Sequence, residues 1–108
     1  MSQEYPGEFE QMVLLAIMRL GDDAYGLAIK DEMEAVAGRS PSSGALSTTL
    51  DRMERKGLVV SREGAGSSER GGRSRRYVKL TPAGQEMLAR SRSALMALWD
   101  GLEGALDS

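Results

Sequence analysis

The residues best suited to chemistry in this sequence are cations rather than nucleophiles or metal ligands. Four arginines, interleaved with glycines, lie within seven positions: Arg70, Arg73, Arg75 and Arg76. A guanidinium group matches phosphate and guanine acceptors, and glycines let a loop follow a groove or a phosphate backbone. The spacing therefore predicts contact with a nucleic-acid backbone. Charge alone does not separate DNA from RNA, and a solvated loop tip is the alternative interpretation.

Other reactive side chains are scarce, because the sequence contains no cysteine and no histidine. Zinc fingers, iron–sulfur clusters, disulfide frameworks and Ser–His–Asp triads each need a thiolate or an imidazole. The carboxylate pairs Asp22-Asp23 and Asp31-Glu32 lie at helix starts and on solvated faces, where the helix dipole and solubility explain them. We therefore expect no enzyme, no metal site and no cofactor.

Charge is unevenly distributed along the 108 residues, although the formal net charge is only −2. Residues 1–37 carry two basic and eight acidic side chains, residues 38–92 carry twelve and five, and residues 93–108 carry three acidic side chains and no basic one. Local positive potential attracts a polyanion over about a Debye length, ~8 Å at physiological salt. The central block is therefore compatible with nucleic-acid binding, and a solvated basic face is the alternative.

The length of the chain suits one domain. The longest apolar run, the seven residues from Met12 to Met18, is far shorter than the ~20 residues that span a bilayer. The N-terminus is acidic, unlike the basic start of a secretory signal. We expect a soluble, cytoplasmic protein with no membrane partner.

Apolar periodicity and capping residues predict the elements that must position these cations. The predicted elements are helices over about 8–20, 24–37, 43–56 and 82–106, and strands over 58–62 and 73–80. Ser42 is the preferred N-cap of the third helix, with Ser40-Pro41 an alternative start, and Thr81-Pro82 opens the last helix. The fold class is therefore mainly α with a small β-hairpin.

This order of elements is typical of a winged helix-turn-helix followed by a dimerisation helix. We assign residues 1–80 to a DNA-binding winged helix-turn-helix and residues 81–108 to a C-terminal dimerisation helix, within a single compact domain overall. The two strands around the basic loop form the wing.

The third helix has an outer face of small polar and basic residues, because Leu46, Leu50 and Met53 point inward. Small side chains near a helix N-terminus let the backbone approach base edges and phosphates in the major groove. The predicted DNA-contacting residues here are Ser42, Ser43, Gly44, Ser47, Thr48, Arg52 and Arg55. Asp51 opposes phosphate, and we expect it to pair with Arg55 or to accept a hydrogen bond from cytosine.

The first and last helices carry more apolar surface than one small core covers. The predicted dimer-interface residues are Leu14, Leu15, Met18, Leu88, Leu95, Leu98, Trp99, Leu102 and Leu106. Gly101 and Gly104 each weaken the last helix by ~1 kcal/mol relative to alanine, so its final turns need packing. The alternative is that the last helix folds back over the first helix of the same chain.

Three segments resemble the PadR family of bacterial transcriptional regulators. They are Tyr25-Gly26, residues 44–59 (GALSTTLDRMERKGLV) and residues 71–84 (GGRSRRYVKLTPAG). The similarity covers about residues 8–106, the third segment is the most specific, and the single C-terminal helix is similar to the smaller subclass. Members usually carry tyrosine at the position of Ser47 and often proline at that of Thr48, so operator preference is expected to differ.

The resemblance implies a homodimeric repressor of double-stranded DNA. Two third helices would enter successive major grooves of a pseudo-palindromic operator, with half-sites ~34 to 36 Å apart and wings on the flanking backbone or minor groove. Members often lose DNA affinity when a small hydrophobic effector binds near the dimer interface. Here two copies of Trp99 would stack on a planar ligand, and a purely structural role of Trp99 is the alternative.

A second function is also compatible with the sequence. A dimeric protein-interaction module, with the basic block serving solubility, would have the same helical arm. The two functions differ in salt dependence, because a protein that contacts several phosphates loses affinity for duplex DNA by orders of magnitude between ~50 and 200 mM salt.

Overall fold

Four α-helices and one two-stranded antiparallel sheet make up residues 6–64 and 75–107, the part of the chain that this computed structural model describes. In chain order the elements are α1 (Glu8–Leu20), a 3-10 turn (Gly21–Asp23), α2 (Gly26–Ala37), α3 (Ser43–Arg55), β1 (Val59–Gly64), β2 (Arg75–Leu80) and α4 (Pro82–Trp99). The predicted fold class, mainly α with a small β-hairpin, is confirmed.

Helix α1 lies at the centre of the fold and contacts α2, α3, α4 and β2. Val13, Leu14 and Ile17 are fully buried on it, whereas Leu15 and Met18 are about half exposed. The assignment of Leu14 to a dimer surface is therefore wrong, because its side chain is 0% exposed within the protomer. One apolar side of α1 therefore faces the core, and the other, with Leu15 and Met18, forms an exposed apolar strip.

Side-chain caps fix two helix starts as the sequence predicts. The Ser42 hydroxyl accepts a hydrogen bond from the Ala45 amide at 3.0 Å. The Thr81 hydroxyl accepts one from the Gly84 amide at 3.0 Å, with Pro82 at the first helical position. Each cap satisfies an amide that has no partner within the helix. These two caps set where α3 and α4 leave the loops.

The hairpin pairs Val59 with Leu80 at its base and Gly64 with Arg75 at the last described pair. β1 begins one residue later than predicted and extends two residues further. The described part of β2 begins at Arg75, and the predicted strand residues 73 and 74 lie outside the described residues. The Val78 amide donates to the Ala24 carbonyl at 2.9 Å, so the segment before α2 is extended and joins the hairpin. For that reason α2 begins at Gly26 rather than at residue 24.

Close packing holds the start of α4 against the base of the hairpin. A Cβ atom at Gly84 would lie 2.2 Å from the Leu58 carbonyl oxygen. The same carbonyl accepts a hydrogen bond from the Thr81 amide at 3.0 Å. Only a residue without a side chain fits there. Glycine at this position therefore sets how closely α4 approaches the sheet.

Helix α4 ends at Trp99, so the prediction of a helix to about residue 106 is wrong. Gly101 has φ +83°, in the left-handed region that favours glycine, and residues beyond it form short turns. No described residue after Ser91 is buried within the protomer. Because no packing offsets the cost of Gly101 and Gly104, the helix stops before them. Leu102 and Leu106 consequently do not continue the helical stripe.

Candidate nucleic-acid interface

The first half of α3 presents a small polar face. Ser43, Gly44, Ser47 and Thr48 are exposed on it, together with Ala45. The opposite side, with Leu46, Leu50 and Met53, is buried against the core. Ser42 is exposed, but its hydroxyl caps the helix. The structure therefore brings the predicted small polar residues together on one accessible surface.

The two arginines of α3 differ in whether they pair with a carboxylate. Arg55 is exposed and forms no ion pair within the described residues. Arg52 instead donates from Nε to the Glu10 carboxylate of α1 at 2.9 Å, and Lys56 Nζ lies 3.5 Å from the same oxygen. The prediction of Arg52 as a DNA contact did not anticipate this pairing. Arg55 is the side chain of the two that points into solvent without a carboxylate partner in the described chain.

Arg52 and Lys56 both pair with the carboxylate of Glu10, whose side chain is only 9% exposed. Burial by itself raises the pKa of the Glu10 carboxyl group. The hydrogen bond from Arg52, the charge of Lys56 and the Gly7 amide outweigh burial, so the pKa lies below its ordinary value. Sequence reasoning missed Glu10, since a glutamate in the first turn of a helix is explained equally well by the helix dipole.

Arg76 of β2 is bound to α3 and to β1. Its Nη1 lies 2.8 Å from Asp51 Oδ1, its Nη2 lies 2.7 Å from Glu54 Oε1, and its Nε donates to Ser61 Oγ at 3.0 Å. The Ser61 hydroxyl in turn donates to Glu54. Asp51 thus pairs with Arg76, and the expected pairing with Arg55 is wrong. We call Arg76, Asp51, Glu54 and Ser61 the hairpin clamp.

Electrostatics within the hairpin clamp favour the charged forms. Hydrogen bonds from Ser61 and Arg76 lower the pKa of Glu54 below its ordinary value. Burial by itself lowers the pKa of Arg76, but its bonds to Glu54 and Asp51 outweigh that effect and raise it. The contacts within the clamp therefore favour the ionised forms of Glu54 and Arg76.

Two arginines of the hairpin stack on tyrosines. The Arg75 guanidinium carbon lies 4.2 Å from the centre of the Tyr25 ring, and that of Arg62 lies 4.5 Å from the Tyr77 ring. The two rings meet edge to face with centroids 5.6 Å apart. Such contacts attract the cation to the negative face of the ring. Arg62 and both tyrosines had not been predicted as site residues, and the adjacent Arg75, Arg76 and Tyr77 of β2 were the available signal.

The remaining predicted wing residues, Arg70 and Arg73, lie outside the described residues. Beside Arg75 and Arg76 of β2, a cavity of about 310 Å³ lies between α2, α3 and β2. Its lining includes Tyr25, Lys30, Ser47 and Arg75. Positive charge therefore adjoins the small polar face of α3.

A second surface is apolar and lies on α1 and α4. A cavity of about 490 Å³ is lined by Gln11, Leu15, Met18, Gln85, Leu88, Ala89, Arg92, Leu95, Met96 and Trp99. Leu95, Leu98 and Trp99 are exposed, and Trp99 is 42% exposed. Leu88 is 7% exposed because α4 packs on α1 at this level, so it forms the floor of the cavity rather than an open surface. Leu102 and Leu106 are exposed beyond the end of α4.

Two features were looked for within residues 6–64 and 75–107: a helix that could span a membrane and a group of residues that could hold a metal ion. None of the helices there combines the length and the apolar character that crossing a membrane requires. Nor do the acidic residues of the same ranges form a group of three that would hold a metal ion.

Comparison with known proteins gives one family match. The model of the transcriptional regulator PadR-like family matches residues 14–90. No curated protein matches the sequence.

Solved structures with the same fold include several regulators described as PadR proteins. A PadR-like transcriptional regulator from Bacillus cereus has a TM-score of 0.73 at 21% identity, covering 93% of this chain and 92% of that one. A PadR family regulator from Eggerthella lenta has a TM-score of 0.68 at 26% identity, covering 94% and 88%. A PadR family regulator from Clostridium difficile has a TM-score of 0.68 at 24% identity, covering 92% and 95%. The winged-helix fold predicted from the order of elements is therefore confirmed.

Proposed function

The chain belongs to the PadR-like family of transcriptional regulators, and from that premise we propose that it is a cytoplasmic homodimeric repressor that binds a pseudo-palindromic operator in duplex DNA. Regulators of this family act on DNA and are not enzymes.

The observation that carries the proposal is the exposed small polar face of α3. Ser43, Gly44, Ser47 and Thr48 make no side-chain hydrogen bonds to the rest of the described chain, and they lie beside the hairpin. In a winged helix-turn-helix this is the face that enters the major groove, where hydroxyl groups donate to and accept from base edges. Ser47 in place of the usual family tyrosine gives a smaller contact. We expect the operator sequence to differ accordingly.

Positive charge for the DNA backbone comes from Arg55 and from the wing. The sequence between the two strands contains Arg70 and Arg73, and Arg75 supplies positive charge at the first described residue of β2. These contacts fix orientation and carry little sequence information. Arg52 contributes less than the sequence suggested, because its charge is compensated by Glu10.

The dimer is supported by the apolar strip on α1 and the second half of α4. Leu15, Met18, Leu95, Leu98 and Trp99 are exposed together in the protomer. Monomeric proteins rarely expose contiguous apolar surface of this kind. A two-fold axis through this strip would present two α3 helices, and binding in successive major grooves requires ~34 to 36 Å between half-sites.

A small hydrophobic effector would bind in the cavity beside Trp99. The cavity beside Trp99 is mainly apolar, and a dimer axis near it would bring two such cavities together. A small planar hydrophobic compound fits that chemistry. Its binding would relieve repression by changing the distance between the two α3 helices.

Selection of genomic duplex fragments on the purified protein at ~50 and 200 mM salt tests the proposal, because counterion release predicts a loss of affinity by orders of magnitude over that range. The fragments retained at low salt identify the operator. Ser47→Asp should abolish binding by placing a carboxylate against the bases. Ser93→Asp makes the same change on α4 outside the cavity and should leave binding unchanged. Absence of binding to any fragment at low salt would favour the protein-interaction module.

A further inference from the structure

The hairpin clamp is the most highly connected polar cluster in the described chain, and it joins three elements. Arg76 stands on β2, Ser61 on β1, and Asp51 and Glu54 on α3. All three nitrogen atoms of the guanidinium group have an oxygen partner at 2.7 to 3.0 Å. A planar fork with three partners fixes direction as well as distance. Together with the apolar packing of α3 against β1, this one side chain therefore orients the hairpin on α3.

The charge of the cluster argues against a direct role for Arg76 in DNA contact. One guanidinium faces two carboxylates, so the clamp carries a net charge of −1. A phosphate that approached Arg76 would also approach Asp51 and Glu54. Like-charge repulsion then cancels the attraction that an unpaired arginine offers. Arg55 differs, since it is exposed on the same helix without a carboxylate partner in the described residues.

We infer that Arg76 is a positioning residue, which holds the wing at a fixed angle to the DNA-reading helix through Asp51, Glu54 and Ser61, and that it does not bind DNA itself. The inference rests on the proposed DNA-binding function. It assigns the two carboxylates a positive role in operator recognition. This is the opposite of the effect expected for acidic residues near a polyanion.

That reversal of sign makes the inference testable. Removing a carboxylate near DNA ordinarily raises affinity for every duplex, because repulsion is lost. If the clamp positions the wing, the double substitution Asp51→Asn with Glu54→Gln lowers affinity for the operator although it removes two negative charges. Arg76→Ala lowers operator affinity in the same way. Arg76→Ala combined with the double substitution should lower operator affinity no more than either change alone, because both changes break the same cluster.

The experiment measures dissociation constants of the full chain for the selected operator and for an unrelated duplex over a series of salt concentrations. For Arg76→Ala we expect ~10-fold weaker operator binding, with binding to the unrelated duplex within about twofold and an unchanged salt slope, because no phosphate contact is lost. Arg55→Ala is the matched control. It should weaken both duplexes by similar factors and reduce the salt slope by about 0.9.

Two further readouts separate positioning from charge and from unfolding. Arg76→Lys keeps the charge but not the planar fork, so we expect it not to restore operator affinity. Circular dichroism establishes that each variant is folded at the temperature of the binding measurement. The inference is overturned if Arg76→Ala loses the same affinity for both duplexes and has a reduced salt slope. It is also overturned if the Asp51→Asn, Glu54→Gln variant binds the operator more tightly.

The geometry is also measurable without DNA. Residual dipolar couplings of the backbone amides in α3 and in the hairpin report the angle between them, and we expect Arg76→Ala to change that angle. An unchanged angle overturns the inference. If the unaltered protein bound no duplex, the proposed function would fail, while this measurement would still decide whether Arg76 orients the hairpin.

Discussion

Arg52 of α3 donates its Nε hydrogen to the Glu10 carboxylate of α1 at 2.9 Å. Lys56, one turn further along α3, lies 3.5 Å from the same carboxylate oxygen. The other side of α1 carries Leu15 and Met18, which line the apolar cavity. Helix α1 therefore stands between the surface proposed for dimerisation and the helix proposed to read DNA, and Glu10 is its polar link to that helix.

The first prediction concerns stability at low pH. The folded-state pKa of Glu10 lies below its value in the unfolded chain, about 4.3. The stabilisation from its ionised form is therefore complete well above pH 4.3 and is lost as the pH falls through the folded-state value. Glu10→Gln should lower the free energy of unfolding at pH 7 by about 1 kcal/mol, since solvent screens the partly exposed Arg52 and Lys56. Urea denaturation measures this.

The matched control for Glu10 is Glu8→Gln on the same helix. Glu8 pairs with Arg39, but its side chain is 77% exposed, so we expect almost no change in stability at pH 7. At a pH below the folded-state pKa of Glu10, the effect of Glu10→Gln should shrink towards zero. An effect of equal size at both pH values would mean that the glutamine substitution acts through packing rather than charge.

The second prediction concerns the contact between α4 and the hairpin. Gly84→Ala places a Cβ atom 2.2 Å from the Leu58 carbonyl oxygen, a backbone atom that cannot move without displacing the hairpin. We expect a loss of about 1–3 kcal/mol in the free energy of unfolding, as for other overpacked sites. Gly26→Ala is the control, because a methyl group at that position would have no neighbouring atom within 4 Å. Stability unchanged by Gly84→Ala would show that α4 is free to shift.

Local signals in the sequence predicted local structure well. Ser42 and Thr81-Pro82 act on amides three residues away, so their types alone located the starts of α3 and α4. The small polar face of α3 followed from helical periodicity for the same reason. The end of α4 was missed because a regular leucine stripe favoured continuation. The deciding fact was that no described residue beyond Ser91 is buried in the protomer.

Pairings distant in sequence were not predictable in this way. Asp51 and Arg76 are 25 residues apart, and Glu10 and Arg52 are 42 apart. A pattern of residue types places each on a face of its own element but does not say which face of another element it meets. The sequence therefore placed Arg52 and Arg55 on the third helix and Arg75 and Arg76 on a strand of the hairpin, as the structure has them. It did not distinguish those that are internally paired from those that remain free.

The third prediction concerns dimerisation. Leu15→Asp or Leu95→Asp places a carboxylate in the apolar strip of α1 and α4, and burying an unpaired charge opposes association. We expect monomers in analytical ultracentrifugation and loss of operator binding. Val36→Asp is the control, because Val36 is equally apolar and 58% exposed, on α2. An intact dimer in both Leu15→Asp and Leu95→Asp would place the interface elsewhere.

The fourth prediction uses Trp99, the only tryptophan in the chain. Its side chain is 42% exposed in the protomer and lines the apolar cavity. A planar naphthalene derivative that enters the cavity should quench Trp99 emission by stacking on the indole ring, with saturation at a defined stoichiometry. The same titration should release a labelled operator fragment, because the proposed effector acts across the dimer axis. N-acetyltryptophanamide in place of the protein corrects for collisional quenching. Saturable quenching without release of the operator would separate the cavity from regulation, and quenching no greater than that of the free amide would remove Trp99 from any ligand site.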